Sequence, residues 1–212
     1  MPSKSSKDKR KQQAPGKNAG RRTLDSLKPD EAQEVLVRLL KVHPDLLSEA
    51  EQTAKSLLHE VSYEDIAEEI EFAMSGLDYD DLNARAGSDE WGYVEPSEAA
   101  EEILAETVNP FLEDMQRRLE LGLEADALEI CKGLVLGCYR LSESQEGDVL
   151  GWSPDFPVEA ASNALELWYR AADSPNNRKG GGTKRPSFPP DFLSMVPEWV
   201  LMIERLAKKK KK

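Results

Sequence analysis

The chain has 212 residues, of which 39% are hydrophobic and 32% charged, and its formal net charge is −12. That is apolar enough for one ordinary domain with a buried core and too charged for a membrane protein; no apolar run approaches the about 18–20 residues a spanning helix needs. Two cysteines, Cys131 and Cys138, make no disulfide framework, and the polar opening Met1 to Lys7 has no apolar signal core, so the expected compartment is cytoplasmic.

The charge is unevenly placed. Residues 1–22 carry eight Lys/Arg against one acid, Asp8, and residues 205–212 carry six bases and no acid, which leaves residues 23–204 at −25. The segment 1–22 has almost no large apolar side chain and is expected to be a disordered basic tail, since it cannot repay its ordering entropy.

Helical periodicity begins at Pro29, a residue suited to a first helical turn. Ala32, Leu36, Leu39 and Leu40 form a stripe that His43-Pro44 ends. Leu46, Leu47, Ala50, Ala54, Leu57 and Leu58 form a second at spacings of three and four, so the two helices are expected to pack as an antiparallel hairpin. Ser62 reads as the N-cap of a third helix, with Asp65 in a capping-box position, Tyr63, Ile66, Ile70 and Ala73 on its buried face, and Gly76 closing it. Leu77 to Pro96 is less regular, with one short helix expected at Asp80 to Ala86 and aromatics at Tyr79, Trp91 and Tyr93.

From Ser97 a long pattern runs through Ile103, Thr107, Phe111, Met115 and Leu119 to Gly122, with Pro110 inside it, where a kink or split is expected. Glu124 to Leu141 is apolar around most of its circumference, the mark of a central helix, and Gly133 and Gly137 lie four apart on one side of it. Each costs about 1 kcal/mol against alanine in a helix, and a close backbone approach by a neighbouring helix is the expected return. A loop, Ser142 to Pro157, precedes a helix carrying Ala161, Ala164, Leu165 and Trp168. Residues 173–190, rich in glycine, asparagine and proline, read as a flexible linker, and residues 191–207, with Phe192, Met195, Trp199, Val200, Ile203 and Leu206, as a C-terminal helix before a lysine tail at 208–212. No segment alternates as a half-buried strand does. The expected fold is all-α, an irregular stack of helical hairpins with a helical domain over residues 23–172.

Groups for catalysis are scarce. His43 precedes a helix-ending proline, and His59-Glu60 lacks the second histidine, four residues after the first, that a zinc-protease helix requires; both read as helix-end histidines capping carbonyls. Two cysteines cannot make a four-ligand structural zinc site. Asp78, Asp80, Asp81 and Asn83 resemble a calcium loop in composition but put Asn83 at the sixth position and Asp89 at the twelfth, so they read as an acidic helix start. Gly180 to Lys184 lacks both the spacing of a phosphate loop and a preceding strand. No catalytic residue, metal ligand or cofactor is assigned.

Two surfaces remain. The aromatics Trp91, Tyr93, Trp152, Phe156 and Phe188 lie in loops or at helix edges, and with Trp199 they are candidates for contact with a protein or peptide partner. The basic tails, through Lys9, Arg10, Lys11, Arg21, Arg22, Lys208, Lys209 and Lys210, offer weak sequence-blind contact with nucleic-acid phosphates, without the interleaved aromatics of single-strand binders.

Three stretches carry a resemblance: Leu36-Val37-Arg38-Leu39-Leu40 through His43-Pro44-Asp45-Leu46, the loop Trp91-Gly92-Tyr93, and the turn from Leu119 through Gly122 to Glu129. On these, residues 30–141 resemble the helical region downstream of the zinc finger in bacterial SWIM zinc finger proteins, and the last turn is similar to that of tetratricopeptide-like helix pairs. The finger's paired cysteines and Cys-x-His signature are absent, so the resemblance implies helix packing and transfers neither zinc binding nor any functional residue. The expected function is a non-enzymatic interaction or scaffold module; the alternative is a nucleic-acid-associated accessory protein that uses its tails.

Overall fold

Helix formation in this chain follows its caps and prolines. A computed structural model describes residues 23–59, 61–88, 92–144, 147–172 and 187–208. Residues 1–22, 173–186 and 209–212, which hold the expected tails and most of the linker, lie outside them. The fold is all-α, and the chain divides after Leu57 into two compact units.

The first unit is built from α1 (Pro29–Val42), a 3-10 turn (Pro44–Leu46) and α2 (Leu47–Leu58), whose last residue falls in the second unit. Pro29 opens α1, and the backbone N–H of Lys28 donates to Glu31 Oε2 at 2.9 Å. The expected hairpin does not close over its own stripes, because neither α1 nor α2 buries a single residue. Val35, Leu36, Leu39, Val42, Leu47 and Leu57 all remain exposed.

The second unit runs α3 (Tyr63–Ser75), α4 (Tyr79–Arg85), β1 (Gly87–Ser88), β2 (Tyr93–Val94), α5 (Pro96–Glu120), α6 (Glu124–Ser144), a 3-10 turn (Leu150–Trp152), α7 (Phe156–Ala172), α8 (Pro190–Leu193), a second 3-10 turn (Pro197–Trp199) and α9 (Val200–Lys208). Helix α6 is its axis, buried on all sides from Ile130 to Tyr139 and packed by α3, α5 and α7. The two glycines do what their spacing implies. A Cβ on Gly133 would lie 2.5 Å from Ile66 Cβ, and one on Gly137 would lie 2.9 Å from the Ala67 carbonyl, so α3 crosses α6 at the point where side chains are missing.

Several expectations change. A strand pair exists after all: Gly87 pairs with Val94 and Ser88 with Tyr93 in an antiparallel two-residue ladder. Pro110 does not split α5, which is continuous for 25 residues. The carbonyl that proline deprives of a donor belongs to Glu106, an exposed residue, while Val108 and Leu112 hold the opposite face in the core. Met74 rather than Ala73 completes the buried face of α3, and Gly76 caps it with φ −78°, in the right-handed region. The expected helix 191–207 is three pieces, because Pro197 cannot continue α8 and restarts the chain as a 3-10 turn.

This last segment packs on the same unit. Phe188, Phe192, Val196, Trp199 and Ile203 are buried. Phe188 meets Trp168 edge-on (centroids 5.2 Å apart), and Phe192 meets Tyr63 the same way at 5.8 Å.

Candidate interaction surface

The sequence-predicted aromatics separate into exposed and buried groups. Tyr93 is 61% exposed on β2, while its neighbour Val94 packs against the core. Trp152 is 46% exposed at the end of its 3-10 turn, between buried Leu150 and buried Ser153. In both places the flanking residues fix the backbone, so the ring is held outward rather than left to find the core. No ring contact joins Tyr93 to Trp152 among the described residues. Phe156 is half-buried at the start of α7 and packs against the core, and Trp91 lies outside the described residues.

Trp199 and Phe188 are corrections. Trp199 is only 8% exposed and stands edge-on to Tyr139, centroids 5.3 Å apart, so no useful area is left for a partner. The Tyr139 hydroxyl donates to Glu198, and that bond, with burial adding to it, pushes the phenol up to about 12. Phe188 is enclosed by Trp168, Tyr169 and Phe192. Among the described residues the most exposed large hydrophobic is Phe72, 84% exposed, which lies on α3 off the stripe of Ile66, Ile70 and Met74. Its position off that stripe was the available signal.

Of the candidate phosphate-contacting bases, Lys208 is described; it ends α9 and pairs with Glu204 at 3.1 Å. Lys9, Arg10, Lys11, Arg21, Arg22, Lys209 and Lys210 lie outside the described residues.

The titratable groups have structural partners. His59 departs from the expected carbonyl cap: its Nδ1 lies 2.9 Å and 2.8 Å from the two oxygens of buried Asp126, in the first turn of α6. This has the arrangement of a base with its orienting carboxylate, but among the described residues no hydroxyl or thiol bonds the other ring nitrogen. Next to it, buried Arg118 donates to the Leu58 carbonyl and, through Nε, to Asp114 at 2.9 Å. Burial raises the Asp114 carboxyl, but the hydrogen bonds from Arg117 and Arg118 outweigh it and hold it below the usual aspartate range. Within the second unit these groups tie Leu58 and His59 to α5 and α6.

The acidic cluster is a cap. Asp78 Oδ1 accepts the N–H groups of Asp80 (2.8 Å) and Asp81 (3.1 Å), and Asp81 Oδ2 accepts that of Asp78 at 3.0 Å. Cys131 and Cys138 are free and fully buried, and desolvation raises both thiols, Cys138 to about 12. Lys132, also buried, pairs with Glu129 at 2.5 Å and lies 4.4 Å above the Tyr63 ring. Among the described residues no helix is long and apolar enough to cross a membrane. Comparison of the chain with protein-family models, with curated proteins and with solved structures finds no match.

Proposed function

We propose that the chain is a non-enzymatic protein-interaction module that presents Tyr93 and Trp152 to a protein or peptide partner. The observation that carries this reading is the exposure of both rings beside residues that pack inward, half-buried Val94 next to Tyr93 and buried Leu150 and Ser153 around Trp152. A large aromatic held in place loses little side-chain freedom on binding and brings much apolar area, the combination typical of residues that dominate interfaces. Asp78, Asp81, Asp114, Arg118, Lys132, Cys131 and Cys138, in contrast, are engaged in caps, ion pairs or burial.

The test is affinity capture with the full chain as bait, beside Tyr93→Ala and Trp152→Ala, followed by binding measurements on the purified partner. The expected result is a common partner whose affinity falls about tenfold or more in each variant, about 1.4 kcal/mol, at an unchanged melting temperature. A partner bound equally by all three baits, or variants that unfold, would refute it.

A further inference from the structure

We infer that the partner met by Tyr93 and Trp152 is a Lys/Arg-rich polypeptide segment whose cations lie over the two rings, an inference that rests on the interaction module proposed above. The chain contains its own example of the contact. Lys132 lies 4.4 Å above the Tyr63 ring with its ammonium 2.5 Å from Glu129, so ring face, cation and carboxylate meet in one place. A ring face attracts a cation electrostatically, most strongly for Trp, and a nearby carboxylate adds to the attraction. Tyr93 and Trp152 present the ring beside exposed carboxylates, without the cation.

After Tyr93 the backbone stays extended through Glu95, so residues two apart share a face: Tyr93 and Glu95 are exposed while Val94 turns inward. Glu98 follows, exposed in the first turn of α5. Asp148 lies four residues before Trp152 and Asp155 three after it, both exposed. Among the described residues none of these four carboxylates meets a base or caps a backbone N–H, unlike those of Asp78 and Asp81. The sequence brings no neutralising neighbour either. Residues 86–116 hold nine acids and residues 141–169 six, and neither stretch has a Lys, Arg or His. Arg85, Arg117, Arg118, Lys132 and Arg140 each already lie within 2.9 Å of a carboxylate of their own chain. Such a surface repels a phosphate backbone or an acidic membrane face, and a neutral apolar segment would cover the carboxylates without a counterion. A cationic segment satisfies ring and carboxylate together.

Fluorescence anisotropy of fluorescein-labelled octa-arginine with the full-length chain, at about 0.15 M salt, tests the cationic partner, with octa-citrulline as the neutral peptide of the same planar shape. The expected result is binding of octa-arginine alone. Tyr93→Ala and Trp152→Ala should each weaken it about fivefold, the size of one cation–ring contact, and Tyr93→Phe and Trp152→Phe should restore most of it. Trp152→Leu, which keeps apolar area and loses the ring face, should bind as weakly as the alanine variant. Glu95→Gln/Asp155→Asn should weaken binding at least as much. Glu113→Gln/Glu120→Gln removes the same charge from the far end of α5, beyond the screening length, and should change binding less than about twofold. Circular dichroism checks that each variant keeps its helices, and the Leu and Phe variants at 152 decide the matter if the alanine variant unfolds. No binding of octa-arginine, equal binding of octa-citrulline, or binding that ignores the rings or answers equally to both carboxylate pairs overturns the inference. If octa-arginine fails while a captured partner still depends on Tyr93 and Trp152, the cationic partner is refuted and the interaction module stands. A captured partner indifferent to both rings removes the module and this inference with it.

Discussion

Gly133→Ala isolates the crossing of α3 and α6. Alanine is the better helix former by about 1 kcal/mol, so helix propensity alone predicts stabilisation. The new Cβ, however, would lie 2.5 Å from Ile66 Cβ and Cγ2 and 3.0 Å from the Tyr63 carbonyl. Ile66 Cβ is fixed to the backbone and cannot swing aside, so α3 must move away from a packed core, and overpacking of this kind costs about 1–3 kcal/mol. A contact this short belongs at the upper end of that range, leaving a net loss of about 2 kcal/mol after the propensity gain. For a unit of this size that corresponds to a melting temperature lower by about 4–8 °C, read by far-ultraviolet circular dichroism. Gly137→Ala meets the Ala67 carbonyl at 2.9 Å and should lose less, whereas Gly151→Ala meets nothing within 4 Å and should be neutral. A Gly133→Ala chain as stable as wild type, or more so, or a reversed ranking of the three, would refute the close crossing.

The remaining expectations concern burial and charge. Trp199→Ala should cost about 3–5 kcal/mol, as for other buried large aromatics, and Tyr93→Ala less than about 0.5; chemical denaturation separates them, and equal losses would contradict the assignment of one to the core and the other to the surface. Ellman's reagent at pH 8 should label neither Cys131 nor Cys138 in the native chain and both in denaturant; rapid labelling of the native chain would mean that α6 is not enclosed. The Asp114 carboxyl is held below its unfolded value, so its contribution is complete above the ordinary aspartate pKa of about 3.9 and is lost as pH falls through the lower native value. Asp114→Asn should therefore flatten the acid limb of the stability profile below about pH 4, and an unchanged limb would place the titration elsewhere.

Where local chemistry decided the outcome, the sequence was sufficient. Pro29, Ser62 and the Asp78–Asp81 cap are governed by neighbours within a turn, and the spacing of Gly133 and Gly137 implies a close helix without naming it. Contacts distant in sequence were not readable. Trp199 follows a proline and looks peripheral until Tyr139, sixty residues earlier, is placed beside it. His59 reads as a helix-end residue because its partner, Asp126, is 67 positions away. Of the candidate surface, the outward positions of Tyr93 and Trp152 were legible as loop aromatics. The exposure of α1 and α2 was not, since an amphipathic stripe states that a face wants covering and leaves open whether anything covers it.

The closure of α3 by the chain's last helices sets how the second unit can assemble. Tyr63 meets the Phe192 ring, and its hydroxyl bonds Met195 Sδ at 3.8 Å across a separation of 132 residues. A helical protein usually folds quickly because its contacts are local; a contact of this span carries a loop-closure cost before it returns any stabilisation. Formation of α3, α5 and α6 is thus expected to precede a slower docking of residues 187–208. Amides of α9 should then gain protection in pulse-labelled exchange after those of α3 and of the middle of α6.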